Sequence, residues 1–300
     1  MASLAPGAVT SEQDLAFRSP LRSKKASRAR RSIIPGFGLT MGVTIGWLSL
    51  IVLIPLSLIF VRSAGMGWEA FAAAAFSPRA IAAYKVSFGT ALAAALVNAV
   101  FGLLIAWVFT RYSFPFKRVL DALIDLPFAL PTAVAGIALT AIYADNGWIG
   151  AYLSSLGIQA AYNPIGITIA LIFIGLPFIV RSVQPVLADL SVDVEEAALS
   201  LGAAPWQVFA RVIFPAIMPA LLTGFALALA RGVGEYGSVI FIAGNMPFRS
   251  EIGPLLIVTQ LEQYNIDGAT AIALVMLLIS FSMLLFINVV QAWSRHRMGV

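Results

Sequence analysis

Three hundred residues, 60% of them hydrophobic and only 11% charged, with a mean hydropathy of +0.93, exclude an ordinary soluble globular domain. The lack of cysteine excludes disulfides and thiolate metal sites, and the single histidine, His296, excludes a His-built metal centre or a His-dependent catalytic triad. A formal charge of +5 on so few charged groups is a topology signal and makes no case for nucleic acid as a partner.

The chain opens with a polar, Ala- and Ser-rich segment, residues 1–34, carrying seven Lys or Arg between Arg18 and Arg31. It reads as a disordered basic cytoplasmic tail suited to anionic lipid. Arg30 and Arg31 stand before an apolar run, as in an export signal. That run stays uncharged from residue 32 to 61, far longer than a signal-peptide core of about 7–15 residues, so it reads as a retained membrane anchor.

A spanning helix needs about 20 apolar residues at ~1.5 Å each to cross ~30 Å of hydrocarbon. On that measure residues 35–294 form a transmembrane domain of six helices. Span one falls within about 37–61. An outer loop, 62–77, follows, with Trp68, Phe71 and Phe76 suited to the membrane interface. Ser77-Pro78 opens a long helix whose uncharged part, 86–110, is span two. Arg111, Lys117 and Arg118 mark a turn. Span three covers about 120–143, kinked at Pro127 and Pro131, and span four about 164–183. Span five runs from Pro215 to about 242, and span six from about 268 to 292. Residues 144–163 and 243–266 are outer loops, and 295–300 is a short tail.

The tail before span one, the 111–118 turn and the tail after span six hold 7, 3 and 2 basic residues. The outer loops hold only Arg62, Arg79 and Arg249, with Lys85 near a boundary. Positive charge gathers on the cytoplasmic side, which places both termini there. The fold class is therefore an all-α polytopic membrane protein with six transmembrane helices.

Between spans four and five, the stretch 189–215 reads as two short helices in water. Asp193 suits an N-cap, with Glu196 three residues on in capping-box spacing. Gly202 is a left-handed stop, and Pro205 suits the first turn of a second helix, where its missing N–H costs nothing. Trp206, Phe209, Ala210 and Ile213 give that helix an apolar face. A DNA-reading helix–turn–helix is excluded by the apolar spans on either side. The unit sits against a membrane face and meets something soluble.

Arg231 and Glu235, at i and i+4 toward the outer end of span five, can neutralise each other on one helix face. Two readings stand together: a lining of a translocation path, or a structural pair at a helix or subunit interface. Gly232, Gly234 and Gly237 match G-x-G-x-x-G, but inside a membrane span the motif has no βαβ unit to belong to. Asp121 and Asp125 are expected to pair with Arg118 or another cytoplasmic arginine. Arg181 is expected to snorkel toward the interface. No phosphate-binding G-x-x-x-x-G-K-[ST] loop and no G-x-S-x-G elbow occurs, so the chain reads as no enzyme, with no catalytic or metal residues.

Glu196-Ala197-Ala198, then Gly202, then Val212-x-Phe214-Pro215 resembles the EAA loop of ABC importer permeases. Val212 and Phe214 stand where that family favours Ile and Leu. Segments 125–144, 176–187, 228–248 and 251–281 resemble its sulfate/thiosulfate T-type branch. The resemblance implies a multi-pass permease in a bacterial inner membrane, forming half of a translocation path. It implies a coupling loop whose residues Glu196, Ala197, Ala198, Gly202, Pro205 and Pro215 serve docking to cytoplasmic ABC ATPase subunits. It also implies a heterodimer with a homologous W-type permease and a periplasmic sulfate-binding protein, with ATP and Mg held by the ATPase and no cofactor on this chain. The alternatives are a permease for molybdate or another oxyanion, and an ion-coupled secondary transporter.

Overall fold

The computed structural model describes residues 37–298, with side chains as far as Trp293. The predicted basic tail 1–34 lies outside the described residues, as do residues 299–300 and the His296 side chain. Among the described residues the elements are helices and turns, with no strand.

The chain divides into two units, 1–53 and 54–300. In the first, α1 (Phe37–Leu48) leads into a π-helical turn, Ser49–Leu53, and neither contains a buried residue. In the second, α2 (Ile54–Gly65) and α3 (Trp68–Ala75) precede the 34-residue helix α4 (Pro78–Arg111). Next come α5 (Lys117–Ile124), α6 (Leu126–Ala129), α7 (Thr132–Tyr143), α8 (Gly150–Ser155) and α9 (Pro164–Asp189). The remaining helices are α10 (Val192–Ser200), α11 (Pro205–Val208), α12 (Phe214–Val233), α13 (Val239–Ile242), α14 (Gly253–Glu262) and α15 (Ile266–Met298).

Among the described residues, five helical stretches are long and apolar enough to cross a membrane: Phe37–Gly65, Pro78–Arg111, Pro164–Asp189, Pro205–Val233 and Ile266–Trp293. The predicted third span is divided into α5, α6 and α7. Pro127 stands in the first turn of α6 and Pro131 is the N-cap of α7. A proline pushes the residue before it out of the helical region, and Leu130 is extended at φ −83°, ψ 136°. What the sequence offers as a kink is therefore a break.

The predicted outer loops are also more ordered than hydropathy suggests, since they contain α3, α8 and α14. Arg79, at the start of α4, explains one of them. Its Nε and Nη2 donate to Glu251 Oε2 and Oε1 at 2.8 and 2.7 Å, a two-pronged fit. Beside it the Gly253 N–H donates to the buried Ser87 hydroxyl at 2.7 Å, fixing the start of α14. At the other end of the chain α15 runs through Met298, so the expected tail is helical as far as that residue.

Helices α4, α9 and α12 form the centre of the second unit. Small residues let them approach: a β-carbon at Gly224 would stand 2.9 Å from both Ile179 Cα and the Phe178 carbonyl oxygen. Between lipid-facing helices such contact stabilises through dispersion and shape more than through expulsion of water, because lipid tails are as apolar as the side chains. One core cluster gathers around Ala91, Ile167, Leu171 and Leu256, and a second around Ile179, Leu187, Ile213 and Ile217. The second cluster underlies the loop between α9 and α12.

Candidate functional site

That loop begins where α9 ends at Asp189. The N-cap of α10 is Ser191, two residues before the predicted Asp193. The Ser191 hydroxyl accepts from the Asp193 N–H at 3.2 Å and contacts Asp193 Oδ2 at 3.1 Å. Asp193 and Glu195 then fall in the first turn, where a carboxylate complements the helix dipole. Glu196 consequently completes no capping box and stands exposed.

The left-handed stop is where the sequence places it. Gly202 has φ +84°, its N–H donates to the Leu199 carbonyl at 2.9 Å, and the Ala203 N–H donates to the Ala198 carbonyl at 3.1 Å. These two bonds make a Schellman turn, and Ala198 supplies one of its acceptors. Pro205 is the first residue of α11, and the Ala204 N–H before it is met by Gln207 Oε1 at 2.9 Å.

From Pro205 onward the structure departs from the expected short helix followed by a span starting at Pro215. A π-helical turn, Phe209–Ile213, joins α11 to α12, making one apolar stretch from Pro205 to Val233. Pro215 lacks an N–H, and its ring would collide with the carbonyl four residues back. The wide turn, closed by the Phe214 N–H to the Phe209 carbonyl, lets the helix run past it. The same spacing occurs at Ser49–Leu53, which precedes Pro55. The extra residue per turn also splits the predicted apolar face. Val208 and Ile213, five apart, are buried together, while Trp206 is 65% exposed and Phe209 and Ala210 are exposed.

Helix α10 contains no buried residue. Val192, Leu199 and Leu201 project from it and its turn, Leu201 at 88% exposure, and with the exposed Trp206 of α11 they give the loop an apolar crest. Arg111 at the end of α4 forms an ion pair with Glu195, both side chains largely covered. The Arg111 guanidinium also lies 5.7 Å from the centre of the Trp107 ring. Trp107 meets Phe209 edge-on at 5.7 Å, and Phe209 meets Phe214 at 5.9 Å. In the sequence Arg111 marks only a turn; nothing there points to a carboxylate 84 residues away.

A second cluster lies where α12 ends. The predicted span to residue 242 stops at Val233, because the run Gly232, Gly234 and Gly237 supports no helix, and α13 starts afresh at Val239. Arg231 and Glu235 do form an ion pair, but Glu235 stands past the helix end. Glu235 is 3% exposed, and its Oε1 accepts from the Ser238 N–H at 2.9 Å and the Ser238 hydroxyl at 3.0 Å. The Arg231 side chain is 38% exposed. A β-carbon at Gly136 of α7 would collide with the Ser238 carbonyl, so α7 packs backbone to backbone against this break.

Asp121 and Asp125 pair with Arg181 rather than Arg118. Arg181 donates through Nε and Nη2 to both Asp125 oxygens at 2.8 and 2.7 Å, and through Nη1 to Asp121 Oδ1 at 2.9 Å. It also reaches the Asp121 carbonyl at 2.9 Å and Gln184 Oε1 at 2.8 Å. The guanidinium is thus turned to the divided third span. This network holds α5 and α6 to α9 where the prolines interrupt the helix.

The chain matches the family described as binding-protein-dependent transport system inner membrane component over residues 98–300. A probable sulfate transport system permease protein from Nephroselmis olivacea is 50% identical over 86% of this chain and 90% of its own length. A sulfate transport system permease protein from Synechocystis sp. is 49% identical over 94% of this chain and 98% of its own. A solved bacterial ABC transporter that imports the acidic polysaccharide alginate superposes with a TM-score of 0.70 at 18% identity, covering 86% of this chain and 96% of that one. At that identity the superposition speaks for the fold alone.

Proposed function

The chain belongs to the family of binding-protein-dependent transport system inner membrane components, and from that premise we propose that it is the permease subunit of an ATP-driven importer of sulfate and thiosulfate. Half-identity to sulfate permeases along nearly the whole chain supports the anion. The observation that carries the mechanism is the loop at 189–215: an exposed apolar crest, set by a Schellman turn at Gly202, on a chain otherwise built for lipid.

In this reading the crest docks to a cytoplasmic ATPase that holds ATP and Mg, and both termini share that side. Glu196, Ala197, Ala198, Gly202, Pro205 and Pro215 shape the docking element. The transmembrane count is six, with α5, α6 and α7 together serving as the broken third crossing. Discontinuous helices suit a transport path, since irregular backbone in a membrane is tolerated only inside protein or beside a wet cavity. Arg231 and Glu235, at such a break, line the path or its border with a second, W-type permease subunit. A periplasmic binding protein delivers the anion, and the complex sits in a bacterial inner membrane.

Labelled sulfate uptake into cells lacking the gene, with and without this chain, tests the proposal. Uptake is expected to return with the chain and to fall when thiosulfate competes. Competition by molybdate alone would transfer the reading to a molybdate permease. Uptake that persists without any ATPase would favour an ion-coupled transporter.

A further inference from the structure

We propose that Arg111, acting through Glu195, is the positioning residue that ties the docking loop to α4, so that movement of the loop is delivered to that helix. The inference rests on the reading of 189–215 as the ATPase-docking element.

The two consecutive glutamates of α10 have different surroundings. Successive residues of an α-helix point about 100° apart, so Glu195 and Glu196 are aimed in different directions. Glu196 is exposed, whereas Glu195 is turned inward and paired with Arg111. The pair also joins two helix ends of opposite character. Arg111 is the last residue of α4, where the dipole favours a cation, and Glu195 lies in the first turn of α10, where it favours an anion.

Exposed ion pairs hold little, but this one is mostly covered, with side-chain exposures of 17% and 19%. It is also braced. The guanidinium stacks over Trp107, which in turn meets Phe209 at the π turn, so one end of α4 grips both arms of the loop. Helix α10 has no fully buried residue, and besides this pair its arm is held by Ala198 and the flanking Leu190 and Ala203, which pack on the cluster beneath the loop. Beyond Arg111 the chain turns extended at Tyr112, so a displacement of α10 reaches α4 at its terminus and is carried along its length. At the far end, Arg79 and Glu251 tie α4 to the segment before α14.

The test uses the assembled complex in proteoliposomes and reads three quantities: ATPase retained, ATP hydrolysed and labelled sulfate moved. Arg111→Ala and Glu195→Ala are each expected to keep the ATPase bound but move about tenfold less sulfate per ATP, the scale of a typical coupling free energy. The chain has no cysteine of its own, so Arg111→Cys with Glu195→Cys can be bridged by a short bis-thiosulfonate. Bridging is expected to restore the sulfate-to-ATP ratio, and reduction to abolish it again. A purely structural pair would change the amount of complex and leave that ratio alone. An unchanged ratio in Arg111→Ala, or a bridge that restores nothing, would overturn the proposal and leave docking intact. Loss of the ATPase from Arg111→Ala would place the pair in docking itself, which also overturns it. A wild-type chain that binds no ATPase would overturn both readings.

Discussion

Gly202→Leu is expected to reach the membrane in normal amount yet lose most ATP-driven uptake. Gly202 has φ +84°, and no atom lies within 4 Å of where its β-carbon would be. The substitution therefore meets no neighbour, and its cost is conformational, about 1–2 kcal/mol for a leucine in the left-handed region. Relieving that strain opens the Schellman turn and swings α10 away from α11, separating Leu199 and Leu201 from Trp206. ATPase recovered by pull-down should fall about tenfold, the equivalent of ~1.4 kcal/mol. Gly202→Asn, which tolerates the left-handed region, should retain most of both activities. Normal uptake by the leucine variant would mean that the turn does not set the docking surface.

The second large effect is expected at Arg231 and Glu235. Arg231→Ala leaves a carboxylate at 3% exposure with no cation beside it, a loss of about 3–5 kcal/mol at the fully buried extreme. Glu235→Ala leaves a guanidinium that reaches its surroundings, and its cost is mainly the two unmet donors of Ser238, about 1–3 kcal/mol. The double variant removes the unpaired charge, so it should assemble better than Arg231→Ala and close to Glu235→Ala. A double-mutant cycle on uptake, normalised to assembled complex, reads this directly. A sulfate ligand role for Arg231 makes the opposite forecast: assembly intact and uptake abolished by Arg231→Ala whether or not Glu235 is present. Additive losses would separate the two residues altogether.

These two sites show what the sequence makes legible. Gly202 and Pro205 act through the backbone of their own neighbourhood, so their roles can be read from spacing alone, and both stand as expected. The i, i+4 spacing likewise brings Arg231 and Glu235 together, although hydropathy hid the helix end between them. The long-range partners were not legible. Arg79 with Glu251, Arg111 with Glu195, and Arg181 with Asp121 and Asp125 meet across 56 to 172 residues, and only the packing of α4, α9 and their neighbours selects them. Hydropathy also misjudged helix ends in both directions. It ran span three through two prolines that break it, and it started span five at Pro215, where a π turn carries one helical stretch through from Pro205.

The central expectation is that the crest at 189–215 meets an ATPase. Because the chain is free of cysteine, a single thiol at Leu201→Cys is a unique reporter on it, and Trp148→Cys, 94% exposed in a predicted outer loop, is its control. With a thiol-to-amine photo-cross-linker in intact membranes, Leu201→Cys should give a covalent adduct with the ATPase subunit, and Trp148→Cys should give none. An adduct from Trp148→Cys alone, with Leu201→Cys reacting only with reagents added from the periplasmic side, would contradict the account.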